Sequence, residues 1–141
     1  MSVRTLGRWL LGTALALAGL AHLTVARDEF QAQVPDWFPL DDDLTVVASG
    51  VVEVGLGAAF VTLPRHRRLV GALIAAFFVA IFPGNVAQYV EGTDAFGLTS
   101  DRARFVRLFF QPVLVVWALW AGGVLSRRDR RDHPDRPDRT H

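Results

Sequence analysis

The chain has 141 residues, 51% of them hydrophobic, and no cysteine. It is long enough for one domain, too apolar for an ordinary soluble one, and unable to use disulfides, thiolate metal ligands or thioether-linked haem. All fifteen basic residues are arginine and the net charge is only +1. Their grouping in a few short segments fits topology control better than nucleic-acid binding.

The apolar residues fall into four blocks of about 20, the length that crosses a hydrocarbon core of ~30 Å at ~1.5 Å per residue. The first predicted span runs over residues 6–26, led by Arg4 and Arg8. Its charged start and its Thr24-Val25-Ala26 ending also resemble a secretory signal peptide. Three further spans make retention the better reading. The following loop, 27–43, carries Asp28, Glu29, Asp36, Asp41, Asp42 and Asp43 against Arg27 and is expected outside.

The second span, 44–63, ends at Pro64, and the turn after it holds Arg65, His66, Arg67 and Arg68 without an acid. A third span, 69–90, leads to an acidic connection with Glu91, Asp94 and Asp101, and a fourth occupies 103–125. The segment 126–141 is rich in Arg, Asp and Pro, has nothing apolar to bury, and is expected to be a disordered cytoplasmic tail. Eleven arginines lie on the predicted inner side and four at or beyond the outer edge. The expectation is therefore an all-α polytopic protein of the plasma (inner) membrane, a four-transmembrane-helix antiparallel bundle with both termini cytoplasmic.

Within the spans, Gly12 and Gly19, and Gly50 and Gly57, are each seven apart and so form one stripe per helix, as close helix packing in lipid requires. Ser49 and Glu53 share the second stripe, and His22 extends the first. A charge at mid-span costs on the order of 2.5–3.5 kcal/mol, so Glu53 needs a partner or a neutral form. Arg107, on a face with Arg104 and Gln111, is the cation expected to pair with it. Asn85 and Gln88 follow Pro83-Gly84 in the third span. His22, Glu53, Asn85, Gln88, Arg107 and Gln111 thus converge from four helices on the middle or outer half of the bundle. They form either a ligand pocket or a polar seam that only joins helices. No phosphate loop, nucleophile with a histidine, or pair of metal-spaced histidines is present.

Several of these residues fall in Ala18-Gly19-Leu20-Ala21-His22, Val34-Pro35-Asp36-Trp37-Phe38-Pro39, Ser49-Gly50-Val51-Val52-Glu53, Phe82-Pro83-Gly84-Asn85 and Arg107-Leu108-Phe109-Phe110-Gln111. Their order and spacing resemble the DoxX-like family of small four-helix membrane proteins over about residues 6–121. Phe109 and Leu23 depart from it, since the family commonly has proline and phenylalanine there. The resemblance implies a membrane subunit that, in some members, associates with quinone-linked sulfur or thiol oxidoreductases. Together with the polar cluster, the leading expectation is a small-ligand (quinone-like) binding or accessory subunit of a redox complex, with the six polar residues around the ligand and the Pro35–Pro39 loop as a lid. A non-catalytic scaffold that docks a membrane or extracytoplasmic oxidoreductase is the rival, and a small transporter is the third reading. The sequence carries no complete catalytic motif and leaves oligomeric state open.

Overall fold

The computed structural model describes residues 1–31, 34–92 and 100–126, apart from the side chains of residues 29, 30, 101 and 104. The acidic connection around Asp94 and the tail from residue 127 lie outside the described residues. Four long helices carry the architecture: α1 (Val3–Leu23), α3 (Asp42–Thr62), α4 (Arg67–Glu91) and α5 (Asp101–Gly122). A five-residue helix α2 (Arg27–Gln31) lies between the first two, and a 3-10 turn (Pro64–His66) leads into α4. No strand occurs among the described residues.

Local chemistry sets the helix ends. Ser2, Asp41 and Ser100 cap α1, α3 and α5 by accepting the backbone N–H of Thr5, Leu44 and Ala103, filling donors that the first turn leaves open. Pro64 lacks the N–H needed to continue α3. Gly92 and Gly123 close α4 and α5 at φ of 66° and 76°, a region that L side chains seldom occupy. Each long helix is apolar and long enough to span a bilayer. Their starts and ends fall within about three residues of those expected from the sequence, as helix boundaries usually do.

Two glycine seams organise the bundle. Between α1 and α3, a Cβ added at Gly19 would stand 2.6 Å from Gly50 O, and one at Gly57 would stand 2.5 Å from Gly12 O. These pairings run in opposite directions along the two helices, so α1 and α3 are antiparallel. Between α4 and α5, a Cβ at Gly122 would meet Arg67 O at 2.7 Å, and one at Gly71 would meet Ala118 O at 2.8 Å. Spacing within each helix pointed to the first seam. The second is built from one glycine on each helix, which leaves no periodic signal.

Across the two helix pairs, Leu11, Leu15, Phe60, Ile74, Phe78 and Ala118 form a buried apolar core. Trp117 adds a cross-link, its Nε1 donating to Gly7 O at 3.1 Å. For helices that sit in lipid the hydrophobic effect does not favour association, and close seams of this kind supply dispersion contact at short range. Replacing Gly57 by valine is therefore expected to destabilise the bundle by about 1–3 kcal/mol. Gly55→Ala, where a Cβ meets nothing within 4 Å, is expected to leave stability unchanged. Loss of helical circular dichroism on heating in mild detergent compares the two.

Candidate functional site

The α1–α3 seam delivers the central contact. With Gly19 against Gly50, the next turn of α1 sets His22 beside Glu53, and a Cβ at Gly50 would lie 2.9 Å from His22 Cβ. His22 Nδ1 stands 2.7 Å from Glu53 Oε2. Both residues are buried, at 7% and 4% exposure, which makes this an internal pair instead of a solvated one. The same Nδ1 lies 3.0 Å from Ala18 O, one turn back. That carbonyl takes the aligned direction of the ring N–H, and Glu53 Oε2 is left close to the ring without an aligned donor.

The pairing differs from the one charge placement predicts. Glu53 meets His22, and no ion pair joins it to Arg107 among the described residues. Arg107 instead donates from Nη1 to Gln88 Oε1 at 2.9 Å. The reason lies in the packing: α1 is in van der Waals contact with α3 along its whole seam, whereas Arg107 belongs to α5, which packs on α4. Arg104, expected on the same face as Arg107, has its side chain outside the described residues.

On the α4–α5 side, Asn85 Nδ2 donates to Gln111 Oε1 at 3.1 Å, and Gln111 Nε2 donates to Phe78 O at 2.7 Å. The carbonyl lies in the turn of α4 before Pro83, whose missing N–H leaves the neighbouring Val79 O without its helical donor. Gln88, 2% exposed, lies one turn beyond Asn85 and holds the guanidinium of Arg107. The amides therefore knit α4 to α5.

These two polar groups face one another across a cavity of about 620 Å³. Its wall takes in His22, Ser49, Glu53, Asn85, Arg107 and Gln111, but not Gln88, which acts behind Arg107. The rest is mainly apolar, from Leu11 and Leu15 on α1 to Phe78 and Ile81 on α4. Val34, Pro35, Trp37 and Phe38 close one side, so the segment expected to act as a lid does border the cavity. Five of the six predicted residues line a single space and the sixth positions one of them. Among the described residues, no group of three or more His, Asp or Glu side chains is placed to hold a metal.

One contributor escaped the sequence reading. Arg27 forms a two-pronged ion pair with Asp43, and Gln31 Nε2 donates to the same carboxylate at 2.8 Å. The hydrogen bond to Asp43 raises the Arg27 pKa from its ordinary value. This clamp fixes α2 to the start of α3 and so anchors the segment that carries Pro35, Trp37 and Phe38. Its signal was the single base in a loop of six acids.

A family model described as Domain of unknown function (DUF8561) matches residues 11–122. The chain belongs to this family. The DUF8561 match spans all six polar residues and both glycine seams. Comparison with curated proteins and with solved structures found no match.

The geometry makes two coupling energies differ. His22→Gln and Glu53→Gln, made singly and together, are expected to depart from additivity by about 1 kcal/mol or more. The Glu53→Gln and Arg107→Gln pair is expected to add within about 0.5 kcal/mol. Thermal or denaturant unfolding of the purified variants reads both cycles.

Proposed function

We propose that the chain is a DoxX-like integral protein of the plasma (inner) membrane, with both termini cytoplasmic. Its bundle binds a small lipophilic molecule with a polar head, a quinone being the class favoured, as a binding or accessory subunit of a membrane redox complex. The observation that carries this reading is the cavity: a mainly apolar space of about 620 Å³ into which a few polar groups converge from four helices.

Its chemistry suits such a head. A quinone presents carbonyl oxygens, which need donors, and Arg107 and Asn85 bring guanidinium and amide N–H groups to the cavity wall. His22 and Glu53 form a pair able to exchange a proton with a bound head. The apolar wall offers a place for the ring substituents and the first part of a tail. Topology follows from the arginine distribution, since the turn 65–68 and the ends of the chain carry the positive charge.

A second reading has its own observation. The contacts of Asn85 with Gln111 and of Gln88 with Arg107 join α4 to α5 whether or not a ligand is present. On that reading the polar residues are structural and the protein is a scaffold for an oxidoreductase partner.

Native mass spectrometry of protein released gently from a quinone-containing membrane separates the two. Retained quinone is expected, with occupancy falling about tenfold in His22→Ala, a change of about 1.4 kcal/mol. Ser49→Phe, which fills the cavity from α3 without altering the glycine seam, is expected to abolish retention at unchanged thermal stability. An empty bundle that co-purifies with an enzyme would support the scaffold instead.

A further inference from the structure

At the opposite end of the bundle, arginines gather without an acid beside them among the described residues. Arg4 and Arg8 lie in the first turns of α1, and Arg67 and Arg68 open α4 beside the C-terminal end of α5. No Asp or Glu occurs in residues 1–27, 54–90 or 102–126, so no carboxylate from these segments can neutralise them. Four guanidinium groups brought together in this way repel one another unless each has a negative partner.

Two of the four have one. Arg8, only 5% exposed, donates from Nη1 to the carbonyls of Phe60 and Val61 at the end of α3. Arg68 donates from Nε to Gly123 O and from Nη2 to Ser126 O, both at 3.0 Å. The carbonyls of Phe60, Val61 and Gly123 stand at the ends of α3 and α5, where the negative end of the helix dipole lies, so both arginines act as caps, and Ser126 O adds a contact from the segment beyond α5.

The other two are not used in this way. Arg4 and Arg67 make no hydrogen bond or ion pair among the described residues, and Arg4 Nε is buried without a partner. Both reach the same point: a Cβ added at Gly123 would lie 3.8 Å from Arg4 Nη1 and 3.7 Å from Arg67 Nε. The cap glycine, with nothing beyond its α-carbon, leaves room between them. Around this point stand exposed Val3, Leu6, Leu69 and Leu125.

We propose that Arg4 and Arg67 form a site for a phosphate group, supplied by the headgroup of an anionic phospholipid. A phosphodiester offers oxygens to both guanidinium forks, and arginine matches that geometry better than a point charge would. The surrounding apolar side chains place the acyl chains where lipid chains run, and the helix ends place the phosphate at headgroup depth. This assignment rests on the membrane reading above but is independent of the ligand in the cavity.

The test uses the full chain in mild detergent, with phosphatidylglycerol and phosphatidylcholine offered in equal amounts and retained lipid read by native mass spectrometry. Wild type is expected to retain phosphatidylglycerol about tenfold over phosphatidylcholine, equivalent to about 1.4 kcal/mol. R4Q/R67Q is expected to lose that preference, R4Q and R67Q alone to lose part of it, and R65Q, altered outside the pair, to keep it. Equal retention of the two lipids by wild type, or an undiminished preference in R4Q/R67Q, would overturn the proposal. If inorganic phosphate raises the melting temperature of wild type but not of R4Q/R67Q while no lipid preference exists, the lipid assignment fails and a soluble phosphate takes its place. Glu53→Ala is expected to leave lipid preference intact, so failure of the cavity reading and failure of this one are distinguishable.

Discussion

The close approach of α1 and α3 is the constraint from which the site follows. Gly12, Gly19, Gly50 and Gly57 let two backbones come nearer than any side chain would permit, and at that distance neighbouring side chains on the seam have few places to go. His22 and Glu53 occupy the next positions along it. Their 2.7 Å contact is thus a consequence of helix register, fixed by packing that does not itself involve charge. A methyl group on the seam would move the two helices apart and separate the pair without touching either residue.

That dependence explains why the polar residues divide as they do. Inside the bundle each buried polar group takes a near partner, because a longer reach costs side-chain entropy and leaves other atoms unsatisfied. Glu53 has a histidine on the helix it touches. Arg107 has Gln88 on the helix it touches. Each of the two tightly packed helix pairs keeps its polar contacts within itself, and the space between them is left as the cavity.

Much of this was legible in the sequence. Apolar runs of bilayer length made all four long helices readable, and polar residues inside such runs are conspicuous, which is how the six were singled out. Partner choice was not, since reading charge against charge favours Glu53 with Arg107, while helix adjacency favours Glu53 with His22. Adjacency depends on the packing of Gly71 against Gly122 as well as on the α1–α3 stripe, and single glycines carry no spacing. The burial of Arg8 was not legible for a similar reason. As a flanking charge it marks topology, yet the structure buries it against the last carbonyls of α3, a role that only the fold reveals.

The two ends of the bundle solve the same problem with different chemistry. At one end the charged groups are few and of both signs, Glu53 beside His22 and Arg107 on the amide of Gln88, and the space between them suits a neutral molecule with a polar head. At the other end the charges of the described residues are of one sign and backbone carbonyls partner only some of them, so the remainder favours an anion from outside. A bundle this small cannot hold both devices at one level without the arginines competing for Glu53. Keeping Arg4, Arg8, Arg67 and Arg68 at the far ends of α1 and α4 leaves the carboxylate to the histidine, as the proposed exchange of a proton with a bound head requires.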